Sequence, residues 1–369
     1  MIANEKAAVL IDGRVLKHAG LSGVQRYARE LVGALRERAL PFDVATPGAT
    51  TRYGRQCWEH LVLPRLAGRY KVLFCPANVA PLYVPRRTGL VVTIHSLPFM
   101  EVAGSYRWAF RNYYRLVVAR AMWRADAVIT VSHAEAERIA ARFPSAAAKI
   151  RVIPLGVSRT FAPPREPRRL PVVLFVGSLS SAKNLHGLLA SFAEIRDKTA
   201  CALWVVGRKG SPFALAPETE AVVARIGADR VRWLGQVNDS EELAAIYRSA
   251  ALLVLPSLHE SFGLAALEAA ACGTPALVSD IPALREVMGD AAAYVNPGDV
   301  RAIADAMLAL LTDKEKRRRL GERGIERAAQ FSWRQCAERT WDVLSHVMPS
   351  VQAAQAPALC ERRLKGPAA

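Results

Sequence analysis

The stretch that decides the fold covers residues 250–280 and reads AALLVLPSLHESFGLAALEAAACGTPALVSD. The apolar run ALLVLPS is followed by FGLAALEAAACG, a segment of small and apolar residues, and then by a second apolar run, TPALVSD. These lengths predict a buried strand, a helix and another buried strand, which together form one βαβ unit of a parallel sheet. Two carboxylates, Glu260 and Glu268, flank the start of the predicted helix.

The same pattern recurs along the whole chain. Short apolar runs such as AAVLID, LVVTIHS and ADAVITVS in the first half, and VVLFVGS, ALWVVGR and AAYVNP in the second, alternate with helical patterns. This alternation predicts an α/β protein with two doubly wound, Rossmann-like domains that face each other across a cleft. The segment SRTFAPPREPRRLP, rich in proline and arginine, is typical of a linker. We predict a first domain over 1–165, a second over 166–349 whose last helix can pack back on the first, and a disordered tail over 350–369.

Composition excludes several classes of protein. No apolar run reaches the roughly 18 residues that a membrane-spanning helix needs, and the amino terminus MIANEKAAVLIDGR lacks the pattern of a signal peptide. The six cysteines show no CxxC spacing and no nearby histidine cluster, which argues against a zinc site and against a disulfide framework. We expect a cytoplasmic protein that does not span the membrane.

The charge of the chain is unevenly distributed. Of the net +17, most lies in residues 1–170, which contain 27 lysines and arginines but only 11 aspartates and glutamates. A positive field of this size attracts phosphate polymers, anionic lipid surfaces or phosphorylated small molecules. A basic surface that serves only solubility is the alternative.

The start of the helix in residues 250–280 has the chemistry of an anion site. If the helix begins near Phe262 or Gly263, its first backbone N–H groups lie between Glu260 and Glu268, and such groups favour an anion. Gly263 lets a ligand approach the backbone closely. A ligand with a hydroxylated ring, a central diphosphate and a ribose fits this layout, which is the outline of a nucleotide sugar.

The segment HESFGLAALEAAACGTPALVSDIPALREVMGDAAAYVNPGD resembles the signature of the family 4 retaining glycosyltransferases, whose fold is called GT-B. Glu260 and Glu268 match the E-x7-E motif of that family. The resemblance extends over nearly the whole chain, because IDGRVLKHAGLSGVQRYARELV, TIHSLPF, RVIPLGV, VVLFVGSLSSAKNL, WLGQV and ELAAIYRSA follow in the expected order.

The resemblance implies roles for individual residues of the second domain. Glu260 binds the hydroxyls of the donor sugar and Glu268 binds the ribose. Lys183 neutralises the diphosphate as it departs, a role that electrostatics favours for a leaving group that gains negative charge. The backbone amides expected near the sugar and the diphosphate are those of Ser261, Phe262, Gly263 and Leu264.

A second cation at the diphosphate is missing from its usual places. Many relatives carry an arginine at one of two positions that Ser178 and Ala182 occupy here. Arg208 or Lys209 of the segment VVGRKG is the expected substitute. Residues 232–237 are expected to lie near the base.

In the first domain, the resemblance places Gly23 near the diphosphate and His95 near the reacting sugar. Many relatives follow this histidine with aspartate, whereas this chain has Ser96, which argues against an acidic partner for His95. For His133 we predict only a position at a helix start, with Ser132 as the cap.

The resemblance also implies a mechanism. Retaining members are thought to use no enzymic nucleophile, and the acceptor attacks from the face that the diphosphate leaves. The sequence contains no Asp-x-Asp motif that could hold a divalent ion on a diphosphate. We therefore expect no metal and no cofactor, with the nucleotide sugar as a substrate.

Residues 105–125, SYRWAFRNYYRLVVARAMWRA, combine five arginines with aromatic side chains in one helical pattern, among them Trp108, Phe110, Tyr113, Tyr114 and Trp123. Such a helix suits an anionic membrane surface, and the alternative is a core helix whose arginines reach out to solvent. With the basic first half, it predicts a peripheral enzyme at the inner membrane face that acts on a polyprenyl-diphosphate-linked acceptor. Likeness to polysaccharide mannosyltransferases favours GDP-mannose as donor.

Two other classes of function stay open. A nucleic-acid-binding protein would explain the charge, but no reading motif is recognisable and the two glutamates would have no role, so we expect no nucleic-acid partner. A sugar-nucleotide epimerase shares the two-domain plan, yet it needs further acids that the sequence does not reveal.

Overall fold

The structure is a computed structural model that describes residues 7–17, 22–48, 51–97, 108–166, 169–207, 217–227 and 229–363. The chain divides into two compact units. The first contains Met1–Pro154 and Trp333–Ala369, and the second contains Leu155–Ser332.

The first unit is built on a parallel six-stranded sheet with the order β2-β1-β3-β4-β5-β6. Its strands are β1 Val9–Asp12, β2 Phe42–Ala45, β3 Val72–Cys75, β4 Gly89–Ile94, β5 Ala127–Thr130 and β6 Ile150–Val152. Its α-helices before β6 are α1 Gly23–Glu37, α2 Arg52–Cys57, α3 Leu63–Ala67, α4 Trp108–Arg124 and α5 His133–Arg142, with a π-helical turn, Trp58–Val62, between α2 and α3.

Burial explains why the inner strands are mostly apolar in sequence. Every residue of β1, β3, β4 and β5 is buried, because helices cover both faces of a parallel sheet. The edge strands β2 and β6 are only partly buried. The sequence did not predict β2 or the helical segment from α2 to α3.

Helix α4 has two faces that differ in character. Val117, Val118, Ala121 and Met122 are buried in the core, and Tyr113 and Tyr114 pack partly buried against the same cluster. Trp123 is exposed instead. Among the predicted aromatic side chains, the two tyrosines therefore belong to the core, and Trp123 faces solvent; Trp108 and Phe110 lie outside the described side chains.

A buried ion cluster holds the carboxyl end of β1. Arg14 forms ion pairs with Asp12, at 3.3 Å, and with Glu59 of the π-helical turn. It also contacts the backbone oxygens of Ala77 and Val79 after β3, at 3.5 and 3.4 Å. Burial raises the pKa of Asp12, while the positive charge of Arg14 acts in the opposite direction. The cluster ties β1, the π-helical turn and the loop after β3 together.

The second unit contains another parallel six-stranded sheet, with the order β12-β11-β10-β7-β8-β9. Its strands are β7 Val172–Val176, β8 Ala202–Val206, β9 Val231–Gly235, β10 Leu252–Leu255, β11 Ala276–Ser279 and β12 Ala293–Val295. Its α-helices are α6 Leu185–Ile195, α7 Pro217–Ile226, α8 Ser240–Ser249, α9 Leu264–Ala271, α10 Pro282–Met288, α11 Val300–Thr312 and α12 Lys314–Ala328. The βαβ unit predicted from residues 250–280 is β10, α9 and β11.

The last helix, α13 Trp333–Arg363, belongs to the first unit. Its Glu338 forms an ion pair with Arg38, and Arg339 donates to the backbone oxygen of Val152 at 3.2 Å. The helix continues to Arg363, into the segment for which the sequence predicts disorder. Its alanines favour a helix, whereas Pro349 and Pro357 each remove a backbone hydrogen-bond donor.

The boundary between the units lies after Pro154, earlier than the predicted boundary at 165. The proline-rich segment begins as part of the second unit, because its backbone is bonded there. Arg248 donates to the backbone oxygens of Thr160 and Ala162 at 2.6 and 2.8 Å, and the ring of Phe161 packs edge-on against Tyr247.

No helix within the described ranges is both long enough and apolar enough to cross a bilayer.

Candidate functional site

Lys183 and Glu260, far apart in sequence, meet at the carboxyl edge of the second sheet. Lys183 ends a short 3-10 turn, Ser181–Lys183, that follows β7, and Glu260 lies in the loop that follows β10. Because β7 and β10 are neighbouring parallel strands, both loops emerge at the same edge. The Lys183 Nζ to Glu260 Oε1 distance is 2.5 Å.

The two loops are fastened to each other by their backbones. The amides of Leu258 and His259 donate to the carbonyl oxygen of Ala182 at 2.8 and 3.3 Å. Ser257, buried at the end of β10, donates its hydroxyl to Glu260 Oε1 at 3.0 Å. The Lys183 and Glu260 side chains are 24% and 12% exposed, so solvent reaches the ion pair without fully hydrating it.

Asn184 fixes the direction in which the chain leaves Lys183. It has a left-handed backbone, with φ of 52°, and it caps α6 by accepting the Gly187 amide at 3.2 Å. Its side-chain nitrogen also donates to the carbonyl oxygen of Pro297 at 2.7 Å. The turn that carries Lys183 is therefore held on both sides.

Gly263 sets the start of α9. Its φ of +90° lies in the region that favours glycine, and a Cβ there would lie 2.4 Å from Leu284 Cδ2. Phe262, just before it, is buried with its ring 5.8 Å from that of Phe331. The first amides of a helix have no acceptor within the helix, so the amides at Gly263 and Leu264 are positioned for an anion.

Glu268 is buried inside the unit and is held by Tyr247 of α8. Only 3% of Glu268 is exposed, and the Tyr247 hydroxyl donates to its Oε2 at 3.1 Å. Glu268 lies little more than one turn into α9, because the helix begins at Leu264. The sequence did not single out Tyr247, since a tyrosine on the apolar side of a helix resembles any core residue.

The remaining predicted donor contacts of the second unit are only partly described. Ser178 is exposed after β7, and its hydroxyl lies 3.1 Å from that of Ser180. Arg208 and Lys209, the predicted second cations, lie outside the described residues. Arg232, in the region expected near the base, places its guanidinium 5.4 Å from the ring centre of Trp204.

In the first unit, Gly23 is the first residue of α1. Among the described residues, apart from its chain neighbours and the backbone of α1 itself, no atom lies within 4 Å of where its Cβ would be. Packing therefore does not require glycine at this position. Ser22 precedes it, and the Ser22 amide donates to the side chain of Gln25 at 2.8 Å.

His95 follows β4 and is a buried, neutral imidazole. Its Nε2 lies 2.9 Å from the carbonyl oxygen of Pro76, which can only accept, so Nε2 carries the proton. The ring of Tyr27 packs edge-on at 4.6 Å, and the His95 amide donates to Asn78 Oδ1 at 2.6 Å. Burial lowers the pKa of His95 to about 4, so the side chain carries no charge at neutral pH.

The prediction for His133 is confirmed. This residue is the first of α5, and Ser132 is the cap whose hydroxyl accepts the Glu135 amide at 3.1 Å. A cavity of about 660 Å³ lies beside it, between α5, β6 and α13. None of the predicted donor-binding residues lines this cavity.

The arrangement in the second unit can bind a polyanion that also bears hydroxyl groups. An ammonium group, helix-start amides and two carboxylates lie within one run of loops at the sheet edge, and carboxylates accept hydrogen bonds from hydroxyls. Within the part of the chain that the structure describes, no group of three or more histidine, cysteine, aspartate or glutamate side chains is placed to hold a metal ion.

Comparison with known proteins identifies the class. Residues 158–327 match the family described as Glycosyl transferases group 1, and residues 52–161 match Glycosyltransferase Family 4. The chain belongs to this family of glycosyltransferases. Members of the family bind nucleotide-sugar donors and saccharide acceptors.

Two relatives are mannosyltransferases. The chain is 32% identical to an MMP α-(1→4)-mannosyltransferase of Mycolicibacterium hassiacum over 72% of this chain and 67% of the relative. It is 30% identical to the O-antigen chain mannosyltransferase B of Escherichia coli over 70% of this chain and 71% of the relative.

A solved structure shares the fold. The sucrose-phosphate synthase of Thermosynechococcus elongatus is 25% identical and superposes with a TM-score of 0.73, covering 93% of this chain and 99% of that chain. Together with the two parallel sheets, this likeness confirms the predicted class, a GT-B fold with two Rossmann-like domains.

Proposed function

We propose that this glycosyltransferase is a retaining mannosyltransferase that uses GDP-mannose and acts on a lipid-linked saccharide at the inner face of the cell membrane, in surface polysaccharide synthesis. Support for the sugar comes from the two mannosyltransferase relatives, and support for the pathway comes from the O-antigen chain named for one of them. The retained configuration is typical of the family.

The observation that carries the proposal is the contact of Lys183 with Glu260 beside the start of α9. A bound nucleotide sugar offers phosphate oxygens to the ammonium group and sugar hydroxyls to the carboxylate. Each partner of the ion pair thus exchanges one charge-assisted hydrogen bond for another. The amides at Gly263 and Leu264 add donors for the diphosphate, and Glu268 accepts from the ribose.

The chemical step follows from these charges. As the bond between the sugar and the diphosphate breaks, negative charge grows on the leaving group, and Lys183 stabilises it. His95 of the first unit is a neutral imidazole whose Nε2 proton is bonded to Pro76, so it is not a source of positive charge. In the proposed mechanism no metal takes part. The acceptor hydroxyl attacks from the face of the departing diphosphate, its oxygen bonds to the anomeric carbon as the bond to the diphosphate breaks, and its proton passes to the departing phosphate oxygen.

Nucleotide preference is tested by thermal shift with GDP, UDP, dTDP and ADP. A nucleotide present at 100 times its dissociation constant adds about 2.7 kcal/mol of stability. We expect GDP to give the largest shift. A larger shift with UDP, dTDP or ADP would contradict the GDP-mannose assignment and leave the transferase assignment standing.

Transfer itself is tested with radiolabelled GDP-mannose and a membrane lipid extract as acceptor source. Glu260→Gln and Lys183→Met should each lower turnover by about a hundredfold or more, because each removes a group that contacts the donor. Glu326→Gln, an exposed carboxylate on α12, is the matched control and should keep the parental rate. Full turnover in Glu260→Gln rejects the site.

The anomeric configuration of the product, read by NMR, tests retention separately. Incubation of each nucleotide sugar without acceptor distinguishes the epimerase alternative, because an epimerase converts the free donor and a transferase does not.

A further inference from the structure

Exposed apolar side chains gather in one region of the first unit. Among the described residues, most of the large hydrophobic side chains that face solvent lie there: Leu61, Val62, Tyr83, Leu116 and Trp123. Isolated apolar residues are ordinary on a protein surface, whereas a contiguous group marks an interaction site.

Hydrogen bonds show that these side chains belong to neighbouring segments. His60, beside Leu61, has its Nε2 2.6 Å from the hydroxyl of Tyr113 on α4, and its Nδ1 accepts the Leu82 amide at 3.3 Å. Arg120 of α4 donates to the carbonyl oxygen of Leu82 at 3.1 Å. The π-helical turn, the loop that carries Tyr83 and helix α4 are therefore packed together.

Helix α4 contributes two exposed apolar side chains that the core does not use. Leu116 and Trp123 lie two turns apart, so they share one face of the helix, and they are 61% and 64% exposed. Arg120 lies between them, with its guanidinium 4.5 Å from the centre of the Trp123 ring.

The charge of these segments is mostly positive. Residues 58–90 and 108–126 contain nine arginines and lysines and two carboxylates, Glu59 and Asp126, and Asp126 is paired with Arg124 at 3.1 Å. Glu59 is buried in its ion pair with Arg14 and does not offset the surface charge. Arg65, Arg86 and Arg115 are exposed in the same segments. We call Leu61, Val62, Tyr83, Leu116 and Trp123, with these three arginines, the α4 surface.

We propose that the α4 surface docks on an anionic lipid bilayer; this inference rests on the proposed function, in which the acceptor is lipid-linked. Arginines among apolar and aromatic side chains match the interface of a membrane, where apolar tips enter the headgroup region and cations meet anionic lipid. A second copy of the chain fits less well, because a two-fold contact would place arginines against arginines.

The test is sedimentation of the full chain with vesicles of phosphatidylcholine alone and of equal parts phosphatidylcholine and phosphatidylglycerol. The parental protein should bind the anionic vesicles and should dissociate as salt is added. Tyr83→Ser with Leu116→Ser and Trp123→Ser should weaken binding at least about tenfold. Arg65→Gln with Arg86→Gln and Arg115→Gln should weaken it by about fivefold for each charge removed.

Matched controls come from the second unit. Leu170→Ser removes an exposed leucine and Arg301→Gln removes an exposed arginine, and both should bind vesicles as the parental chain does. The inference is overturned if the parental chain does not bind anionic vesicles or if it binds neutral vesicles equally well. It is also overturned if the α4 variants bind anionic vesicles as well as the control variants do. Dimer formation that the α4 variants abolish, without any change in vesicle binding, would also reject it in favour of a second copy.

The outcome is independent of the transfer assay. Vesicle binding needs neither donor nor acceptor, and nucleotide binding needs no lipid. A chain that binds GDP but no vesicles therefore refutes the α4 surface alone, whereas a chain that binds vesicles but no nucleotide refutes the donor site alone.

Discussion

Tyr247→Phe removes one oxygen atom from the interior of the second unit and should weaken both folding and nucleotide binding. Tyr247 is fully buried, and its hydroxyl donates to Glu268 Oε2 at 3.1 Å. A hydrogen bond to a charged group contributes about 1.5–3 kcal/mol. Because Glu268 is only 3% exposed, water cannot readily replace the lost donor. We expect the free energy of unfolding to fall by about 2 kcal/mol.

The assay is thermal unfolding of the variant beside a matched control. A loss of about 2 kcal/mol should lower the melting temperature by about 4–8 °C for a unit of this size. Tyr294→Phe, also in the second unit, removes a hydroxyl that donates to the backbone oxygen of Gly289, a neutral acceptor at 2.5 Å. Tyr294→Phe should lower the free energy of unfolding by about 1 kcal/mol or less.

Nucleotide affinity separates a positioning role from a purely structural one. If Tyr247 aims Glu268 at the ribose, Tyr247→Phe should also weaken GDP binding by about tenfold, which corresponds to about 1.4 kcal/mol. In the Tyr247→Phe protein, Glu268→Gln should weaken GDP binding less than it does in the parental protein. The two substitutions should differ from additivity by about 1 kcal/mol of binding free energy. Unchanged stability and unchanged affinity in Tyr247→Phe would refute the reasoning, and additive effects would remove the link to Glu268.

Two further predictions concern the first unit. Because burial lowers the folded pKa of His95 to about 4, its contribution to stability is complete above its unfolded pKa, near 6.5, and is lost as the pH falls from there towards 4. When the pH is lowered from about 7 to about 5, the free energy of unfolding in urea should therefore fall by about 2 kcal/mol more for the parental chain than for His95→Asn. Equal decreases in the two proteins would contradict the buried neutral imidazole. Arg14→Met should lower the free energy of unfolding by about 3–5 kcal/mol, because it leaves Asp12 and Glu59 buried without their cation. Arg301→Met, at an exposed position, should change it by less than about 0.5 kcal/mol. Comparable losses in the two variants would contradict the buried ion cluster.

The repeated apolar runs predicted most of the strands because the inner strands are largely buried on both faces and consist mainly of apolar residues. Strand β2 was missed because it lies at an edge and its Asp43 interrupts the apolar pattern. The boundary at 165 was displaced for a different reason. Proline and arginine suggested a linker, but Arg248 binds that backbone to the second unit.

The residues of the candidate site differ in whether the sequence alone could predict them. Glu260 and Glu268 stand out because charged side chains beside apolar runs need an explanation, whereas Lys183 was predicted only through the family resemblance of its segment. Tyr247 and Ser257 orient those carboxylates, yet their residue types are ordinary in a core helix and at a strand end. Their roles depend on which segments become neighbours, and local patterns do not contain that information.

Strand order supplies the missing information in the second sheet. From β7 the chain moves outward through β8 and β9, and it then crosses to the other side of β7 to form β10. The loops after β7 and β10 therefore diverge at the point where the order reverses, and ligands of open α/β sheets bind in the crevice that such loops leave. Lys183 and Glu260 lie on those two loops.

The first sheet reverses its order between β1 and β3. The Arg14 cluster joins the loops after β1 and β3, and His95, after β4, bonds to Pro76 in the loop after β3. In both sheets, the predicted site residues thus lie at the point where the strand order reverses, or one strand away from it. Local chemistry selects which residues are candidates for donor binding, and the reversal of strand order decides where they can meet. A substitution that preserves the charges but disturbs the loops after β7 and β10 should therefore impair the site as severely as loss of Lys183 itself.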